Sequence, residues 1–181
     1  MKIISTKIAG VKIIETSPFV DPRGFFARLF CKNDLEEIIG EKKIEQINIS
    51  LTSKVGAIRG MHFQFKPYEE MKLVRCLKGG VWDVVIDLRK NSPTFLKWHA
   101  EELNEKNMRM IVVPEGCAHG FQVLEENSEL LYLHTEFFTP EAYGRVSFKD
   151  PLFDISWPLN PTEMSIPDRD QPFLPLDFQG L

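Results

Sequence analysis

Polar side chains of the types used in acid–base catalysis occur inside stretches that are otherwise apolar and strand-like. Arg59 and His62 stand three residues apart in the run GAIRGMHFQF, and Lys72, His119 and Tyr132 occupy comparable positions in later runs. Burying such a group costs free energy unless it is hydrogen-bonded or used. Because these residues come from several predicted strands, together they indicate a pocket with a chemical task.

Proton transfer beside a carbonyl is the chemistry that suits this set of residue types. Histidine titrates near neutral pH and is a good general base when a carboxylate orients it. Lysine stabilises the negative charge of an enolate oxygen, and tyrosine, with a pKa of about 10, can return a proton from a second direction. Arginine forms paired hydrogen bonds with phosphate. The set therefore predicts proton abstraction on a phosphorylated substrate.

Sequence signals of other chemistries are missing. The chain has no GxSxG nucleophile motif, no P-loop and no GxGxxG dinucleotide-binding motif. His62 and His119 each lack the closely spaced second histidine of a metal site, so we expect no metal. Cys117, in PEGCAHGF, is expected to be a small buried hydrophobe and not a nucleophile.

Composition describes an ordinary globular protein. The 181 residues fit a single domain, 1–181, with 43% hydrophobic and 27% charged residues. The net charge of −4 argues against a nucleic-acid partner, although a local basic cluster can still hold an anion. Three scattered cysteines favour a reducing, cytoplasmic setting. We expect no membrane association, since no run approaches about 20 apolar residues.

Strand patterns dominate the chain. Alternation over residues 46–52 places Gln46, Asn48 and Ser50 on one face and apolar residues on the other. Residues 71–89 predict a hairpin with a Gly79-Gly80 turn, and residues 108–124 and 129–138 predict a further pair of strands around a turn at 126–127. Many short strands and little helix indicate an all-β sandwich or barrel.

Three irregular features complete the sequence-based prediction of the fold. A helix is predicted over residues 33–40, capped by Asn33 or Asp34 and ended by Gly40. The proline-rich chain after Asp150 is predicted to wrap over the domain in an extended form. Residues three apart on a regular strand face opposite sides, so a bulge is predicted at Gly60-Met61 to bring Arg59 and His62 to one pocket.

A series of motifs runs in one order along the chain and covers most of it. They are DPRGFF at 21–26, QINISLTSKVGAIRGMHFQ at 46–64, KLVRCLKGGVWDVVIDLRKNSPTF at 72–95, VPEGCAHGFQVL at 113–124, DPLFDISWP at 150–158 and SIPDRD at 165–170. Together they resemble the dTDP-4-dehydrorhamnose 3,5-epimerase family of cupins. The resemblance implies a cupin-type double-stranded β-helix (jelly roll) with a few short helices, a homodimer, and neither a metal nor an organic cofactor.

The resemblance also implies an activity and catalytic roles. Such enzymes epimerise a nucleotide-linked 4-keto-6-deoxyhexose at C3 and C5 through enolates. At the matching positions, His62 looks like the base and Asp168 like its orienting carboxylate. Lys72 would stabilise the enolate oxygen, and Tyr132 would be the acid that protonates the opposite face.

Substrate-binding residues are carried over in the same way: Arg23, Phe26, Gln46, Asn48, Arg59, His119 and Phe138. The two arginines and His119 would meet the diphosphate and nearby groups. Phe26 would contact the nucleotide, across the dimer if this chain exchanges its N-terminal strands as the family does.

Four departures from the family pattern concern positions around this predicted site. Arg28 stands where an acid usually helps to recognise the base, and Phe138 replaces a tyrosine. Tyr143 replaces a frequent glutamate, with Gly144-Arg145 in reversed order, and Pro167 stands where lysine is common. The nucleotide carrier and the inverted centres, C3, C5 or both, therefore stay open.

Three other functions are alternatives. One is a keto-sugar isomerase, a type of enzyme that often lacks the tyrosine acid, so Tyr132 favours epimerisation. Another is a cupin that only binds a sugar nucleotide, against which the four catalytic residue types argue. The last is a metal-dependent cupin.

Overall fold

A computed structural model describes residues 1–164 and 166–181, so that Ser165 of the SIPDRD motif lies outside the described residues. In the described part the strands are β1 (Lys2–Ser5), β2 (Lys12–Glu15), β3 (Phe19–Asp21), β4 (Gly24–Phe26), β5 (Gln46–Thr52), β6 (Ile58–Gln64), β7 (Lys72–Lys78), β8 (Gly80–Asp87), β9 (Trp98–Asn104), β10 (Arg109–Val113), β11 (Cys117–Val123), β12 (Ser128–His134) and β13 (Tyr143–Arg145). The helices are α1 (Glu36–Ile39), α2 (Ile166–Arg169) and a 3₁₀ turn at Pro140–Ala142. No helix among them is long and apolar enough to cross a membrane.

Two antiparallel sheets form the body of the molecule. The larger has the order β1-β2-β10-β7-β12-β5 and the smaller β13-β6-β11-β8-β9, while β3 and β4 form a separate ribbon. From β5 to β12 the chain passes repeatedly from one sheet to the other, which is the winding of a jelly roll. The prediction of an all-β jelly roll with a few short helices is confirmed.

The central core fills the space between the two sheets. Val74 and Ile111 of the larger sheet pack against Val85, Phe121 and other residues of the smaller one, and these four are at most 2% exposed. Packing between these inward apolar residues holds the two sheets face to face.

The proline-rich tail covers the outer face of the smaller sheet, as predicted. Val84 and Ile86 of β8 are fully buried beneath Trp157, Leu174 and Phe178 of the tail. Strand β8 is therefore buried on both faces, because one faces the interior of the sandwich and the other faces the tail.

Both predicted strand pairs around tight turns are wrong. Strands β7 and β8 lie in different sheets, as do β11 and β12. At Gly79 the backbone has φ of 72° and leads the chain across the sandwich, and a Cβ there would lie 2.6 Å from Ser128 Oγ. The local glycine signal predicts a turn, but it does not determine which sheet receives the next strand.

The predicted helix is shortened to one turn. Its N-cap is Leu35, without a side-chain hydrogen bond, so neither Asn33 nor Asp34 caps it. Asp34 instead forms an ion pair with Arg28 at 3.3 Å. Gly40 ends the helix with a positive φ, as expected.

Strand β5 presents its polar face to the interior of the sandwich and its apolar face to the outside. Gln46, Asn48 and Ser50 line an internal cavity. On the other face Ile47 and Ile49 are 63% and 64% exposed. This arrangement is the reverse of an ordinary edge strand, in which apolar residues face the core.

The strand pair β6–β11 contains the irregularity predicted at Gly60-Met61. His62 of β6 pairs with His119 of β11, and Arg59 pairs with Phe121. Between these pairs, Gly60 and Met61 of β6 therefore lie opposite a single residue of β11, Gly120. The peptide bond between them is cis. An extra residue in one strand of an antiparallel pair is a β-bulge.

The bulge turns Arg59 and His62 to the same side of the strand. Both line the internal cavity, whereas Met61 between them is fully buried on the opposite side beneath the tail. The prediction that an irregularity lets two residues three apart share a pocket is confirmed.

Gly60 has no room for a side chain, which generates a stability prediction. Its φ is 124°, and a Cβ would lie 2.4 Å from the Cα of Gly120. We expect Gly60→Ala to lower the free energy of unfolding by about 2–4 kcal/mol, measured by chemical denaturation.

The matched control is Gly24→Ala, because Gly24 has φ of 130° but a Cβ added there would meet no other atom within 4 Å. Gly24→Ala introduces backbone strain without a clash, so it should lower the free energy of unfolding by about 1–2 kcal/mol. Equal losses for the two variants would show that the close approach of β6 to β11 is unimportant.

Candidate active site

A cavity of about 320 Å³ opens between the two sheets. The predicted site residues that line it are Gln46, Asn48, Arg59, His62, Lys72, His119, Tyr132, Phe138 and Asp168. They come from strands of both sheets, from the segment after β12 and from the tail. The structure thus brings together side chains from Gln46 to Asp168, 122 residues apart in sequence.

His62 is bound to the tail by a short hydrogen bond. Its Nε2 lies 2.7 Å from Asp168 Oδ1. Burial lowers the pKa of His62, and the hydrogen bond and charge of Asp168 oppose this effect only in part. The imidazole is therefore neutral at neutral pH and able to accept a proton.

Gln171 connects this pair to the bulge. Its Nε2 donates to Asp168 Oδ1 at 3.1 Å, and its Oε1 accepts the backbone N–H of Met61 at 3.2 Å. The amide side chain of Gln171 thereby fixes the position of the Asp168 carboxylate relative to the bulge in β6.

Tyr132 reaches the cavity from β12, in the sheet that faces His62. Its hydroxyl lies 3.0 Å from Ser50 Oγ of the neighbouring strand. Burial raises the pKa of Tyr132 above its ordinary value. The phenol therefore keeps its proton and is suited to act as an acid.

Lys72 belongs to a buried charged cluster on the same sheet. Its ammonium lies 3.0 Å from Glu70 Oε1, and the other oxygen of Glu70 lies 2.6 Å from His134 Nδ1. Burial favours the protonated form of Glu70, but the hydrogen bond from His134 and the charge of Lys72 hold its pKa below the usual value. Asn48 Nδ2 lies 3.3 Å from His134 Nε2 and extends the network.

His119 is anchored from behind by a buried carboxylate. Its Nε2 lies 2.9 Å from Asp83 Oδ2. Burial raises the pKa of Asp83, and the charge and hydrogen bond of His119 oppose the shift. The pair fixes the ring of His119 at the cavity wall.

Arg59 and Phe138 are held by β5. Arg59 Nε donates to Thr52 Oγ1 at 2.8 Å, and its Nη2 donates to the carbonyl of Leu51 at 3.3 Å. The backbone N–H of Phe138 donates to Gln46 Oε1 at 3.1 Å. The phenyl ring of Phe138 remains about half exposed at the rim of the cavity.

The structure adds residues that the sequence analysis did not select. Glu70, Asp83 and Gln171 hold the predicted residues in place, and Tyr143 contacts His62 with ring centroids 5.2 Å apart. Asp83 had a detectable signal, because it is an acid inside an apolar strand. Glu70 and Gln171 lie in loops, where polar residues carry no such signal.

Arg23 and Phe26 do not reach this cavity within the chain. Both belong to the β3–β4 ribbon, where Arg23 pairs with Asp21 at 2.6 Å and Phe26 is 76% exposed. Phe26 lines a separate shallow cleft together with Arg28.

Among residues 1–164 and 166–181, no group of three or more His, Cys, Asp or Glu side chains is placed to hold a metal ion. The three cysteines are free, and burial raises the pKa of Cys117 to about 12. The cavity therefore offers a neutral base, a protonated phenol and several cations.

Comparison with known proteins places these observations in a family. The family model described as dTDP-4-dehydrorhamnose 3,5-epimerase matches residues 5–177. The dTDP-4-dehydrorhamnose 3,5-epimerase of Shigella flexneri is 39% identical over 98% of this chain and 99% of its own.

Two solved structures share the fold closely. The dTDP-4-dehydrorhamnose 3,5-epimerase of Bacillus anthracis with TDP and PPi bound has a TM-score of 0.92 and 36% identity, covering 96% of this chain and 99% of that chain. A dTDP-6-deoxy-D-glucose-3,5-epimerase of Legionella pneumophila, in complex with dTDP-4-keto-L-rhamnose, has a TM-score of 0.87 and 38% identity, covering 92% and 89%.

The contact between His62 and Asp168 generates a prediction about titration. A carboxylate beside an imidazole favours its protonated form. We therefore expect Asp168→Asn to lower the pKa of His62 further, as followed by NMR titration of the imidazole resonances.

Asp170→Asn is the matched control, since Asp170 is exposed and pairs with Arg169 instead. It should leave the titration of His62 unchanged. A pKa of His62 that stays constant or rises in Asp168→Asn would contradict the proposed coupling.

Proposed function

The chain belongs to the dTDP-4-dehydrorhamnose 3,5-epimerase family, and we propose that it epimerises a nucleotide-linked 4-keto-6-deoxyhexose without a cofactor. The observation that carries this proposal is the position of its acid and its base. His62 stands on the smaller sheet and Tyr132 on the larger one, with the cavity between them. A sugar ring bound between the sheets would meet a base on one face and an acid on the other.

His62 begins the reaction by removing the proton beside the ketone. With Nε2–H donated to Asp168, the lone pair of Nδ1 accepts the proton from C3 or C5. The electron pair of the broken C–H bond moves into a C–C double bond, and the ketone becomes an enolate. The growing positive charge on the imidazole is stabilised by Asp168, which general-base catalysis of this kind requires.

Lys72 stabilises the enolate oxygen. Its ammonium is placed by Glu70, which is itself held by His134, so the donor is oriented before the charge develops. Preorganised donors of this type contribute about 3–4 kcal/mol to such reactions. Because the lysine is almost buried, water does not weaken the interaction.

Tyr132 completes the inversion. Its phenol donates a proton to the carbon from the face opposite His62, and the enolate electrons form the new C–H bond. The raised pKa of Tyr132 supports this role, because a phenol that rarely ionises is available as a donor. Ser50 of β5 is hydrogen-bonded to the hydroxyl of Tyr132 and can orient it.

Substrate binding is assigned to the remaining cavity residues. Arg59 and His119 would contact the diphosphate and nearby groups, Gln46 and Asn48 the same part of the cavity, and Phe138 the nucleobase. The ligands named for the two relatives, TDP with PPi and dTDP-4-keto-L-rhamnose, support a dTDP-linked keto-sugar as the substrate class. Inversion at C3, C5 or both would use the same base.

A homodimer explains the residues left outside the cavity. The ribbon exposes Phe25 and Phe26 at 63% and 76%, and the outer face of β5 exposes Ile49 at 64%. Burying such side chains gains about 1.5–3 kcal/mol each, enough to offset the cost of association. We propose that Arg23 and Phe26 enter the cavity of a second copy. A nucleotide-sugar substrate and three free cysteines fit a cytoplasmic enzyme.

Exchange of substrate protons with D2O tests the assigned base. We expect His62→Ala to lower exchange at the carbon beside the ketone by about 10²–10⁴-fold, because no other group takes the proton. NMR of a dTDP-linked 4-keto-6-deoxy sugar incubated in D2O measures this.

His99→Ala is the control, since His99 lies on β9 away from the lining of the cavity. Full exchange by His62→Ala would exclude the base assignment, and no exchange by the unaltered protein across several carriers would favour a binding-only cupin.

Tyr132→Phe separates proton removal from inversion. The variant should still exchange the substrate proton through His62, while formation of the inverted product falls by about 10²-fold or more. Product stereochemistry by NMR, measured in the same D2O samples, distinguishes the two steps. Equal loss of exchange and inversion would contradict a role as the second-face acid.

Mixed dimers test the assignment of Arg23 to a second copy. His62→Ala and Arg23→Ala proteins, each of low activity, should regain roughly a quarter of wild-type activity when refolded together, because one site in each heterodimer is intact. If Arg23 instead acted in the site of its own chain, both sites of the heterodimer would carry a substitution and no activity would be recovered.

A further inference from the structure

Most ionisable side chains that line the cavity are paired with a carboxylate or an ammonium group. His62 pairs with Asp168, Lys72 with Glu70, and His119 with Asp83. A cation that already has a carboxylate partner contributes little net charge to an anionic ligand, because the two fields largely cancel. The unpaired cations therefore determine where an anion binds.

Two arginines in or next to the cavity wall have no carboxylate partner within ion-pair distance among residues 1–164 and 166–181. They are Arg59, which lines the cavity, and Arg145, which lies over the ring of the lining residue Tyr143. Arg59 donates to Thr52 Oγ1 and to a backbone carbonyl, both neutral groups. Its role in diphosphate binding is already part of the proposed function. Arg145 has no assigned role.

Arg145 stands on the same face of the sheet as the base. In the β13–β6 pair, Arg145 lies opposite His62 and Tyr143 lies opposite Gln64. Residues directly opposite each other in an antiparallel pair share a face. Strand β13 is the edge strand of its sheet, and the side chain of Arg145 is exposed there.

Tyr143 holds the guanidinium of Arg145 in place. The central carbon of the guanidinium lies 4.8 Å from the centroid of the Tyr143 ring. The ring itself lines the cavity and meets Phe138 edge to face, with centroids 5.3 Å apart. Stacking on an aromatic face orients a guanidinium while leaving its N–H groups free to bind a ligand.

We propose that Arg145 is a further substrate-binding residue, which contacts the diphosphate of the nucleotide sugar at the rim formed by Phe138 and Tyr143. This assignment rests on the proposed function, since it takes a sugar nucleotide as the ligand. Arg59 and Arg145 then provide two unpaired guanidinium groups for one diphosphate. Guanidinium groups match phosphate oxygens in pairs, which gives this contact its specificity for a diphosphate.

Binding, and not proton transfer, is the step that Arg145 serves. Burial is the main cause of the pKa shifts of both His62 and Tyr143; the charged neighbours that act on His62 are Asp168, Lys72 and His119, whereas Arg145 acts on Tyr143, first through a hydrogen bond. The diphosphate is bonded to the sugar away from the carbons beside the ketone, so we expect its contact with Arg145 to be the same before and during the reaction. Interactions of this kind change KM and leave kcat unaltered.

Calorimetric titration of the full-length protein with dTDP, inorganic pyrophosphate and thymidine tests the assignment. We expect Arg145→Ala to weaken binding of dTDP and of pyrophosphate about tenfold, and Arg145→Lys to weaken them less, because lysine keeps the charge but loses the paired geometry. Thymidine, which carries no phosphate, should bind equally to all variants.

Lys149→Ala is the matched control. Lys149 is an exposed cation over the ring of Phe148, outside the lining of the cavity, so its loss removes the same charge without the proposed contact. If Lys149→Ala weakened binding of dTDP and pyrophosphate as much as Arg145→Ala, the effect of Arg145 would be explained by net charge alone. That result would overturn the assignment. Circular dichroism of each variant confirms that the fold is retained.

The other outcomes separate the two proposals. If the unaltered protein binds neither dTDP nor pyrophosphate, the proposed function fails as a whole. If it binds both and Arg145→Ala binds them as tightly, the assignment of Arg145 fails alone. If Arg145→Ala weakened thymidine binding to the same extent, Arg145 would contact the nucleoside. That result would contradict the proposed contact with the diphosphate.

Steady-state kinetics provide a second readout. Arg145→Ala should raise KM for the keto-sugar nucleotide about tenfold with kcat within about twofold of the unaltered protein. A fall in kcat at constant KM would contradict a binding role.

Discussion

The hydrogen bond between His62 and Asp168 joins the middle of a core strand to the C-terminal tail, and the candidate active site depends on that junction. A jelly roll by itself supplies a cavity between two sheets. The carboxylate beside the histidine comes from outside the sheets, on a short helix that the tail brings over β6. Packing of the apolar tail residues on the smaller sheet thus has a chemical result as well as a stabilising one.

Burial and pairing together set the protonation states in the cavity. His62 and Tyr132 are both shifted by desolvation, the first toward a neutral base and the second toward a protonated acid. Lys72, which lies on the same sheet as Tyr132, forms a buried ion pair with Glu70. In the proposed reaction, the base and the acid therefore have the protonation states that they need before the substrate binds.

Local patterns in the sequence predicted the strands, the tail and the bulge, because alternation, prolines and an inner glycine act through nearby residues. They failed for the two pairs of strands around tight turns, since the sheet that receives a strand depends on packing far away in sequence. The residues that support the site were missed for a related reason. Glu70 and Gln171 gain their importance only from contacts with His134, Lys72 and Asp168, which the fold creates. Arg23 and Phe26 were inferred from a resemblance and lie on a ribbon outside the cavity.

Strand β5 forms the cavity wall on one face and carries exposed apolar residues on the other. Since successive side chains alternate, each position belongs to one surface only, and a single substitution changes one surface at a time. Insertion or deletion of one residue within β5 is different, because it exchanges the two faces for the rest of the strand. Isoleucine would then enter the cavity and asparagine would face outward. Variation in this strand among functional descendants of the chain is therefore restricted to replacement at constant length.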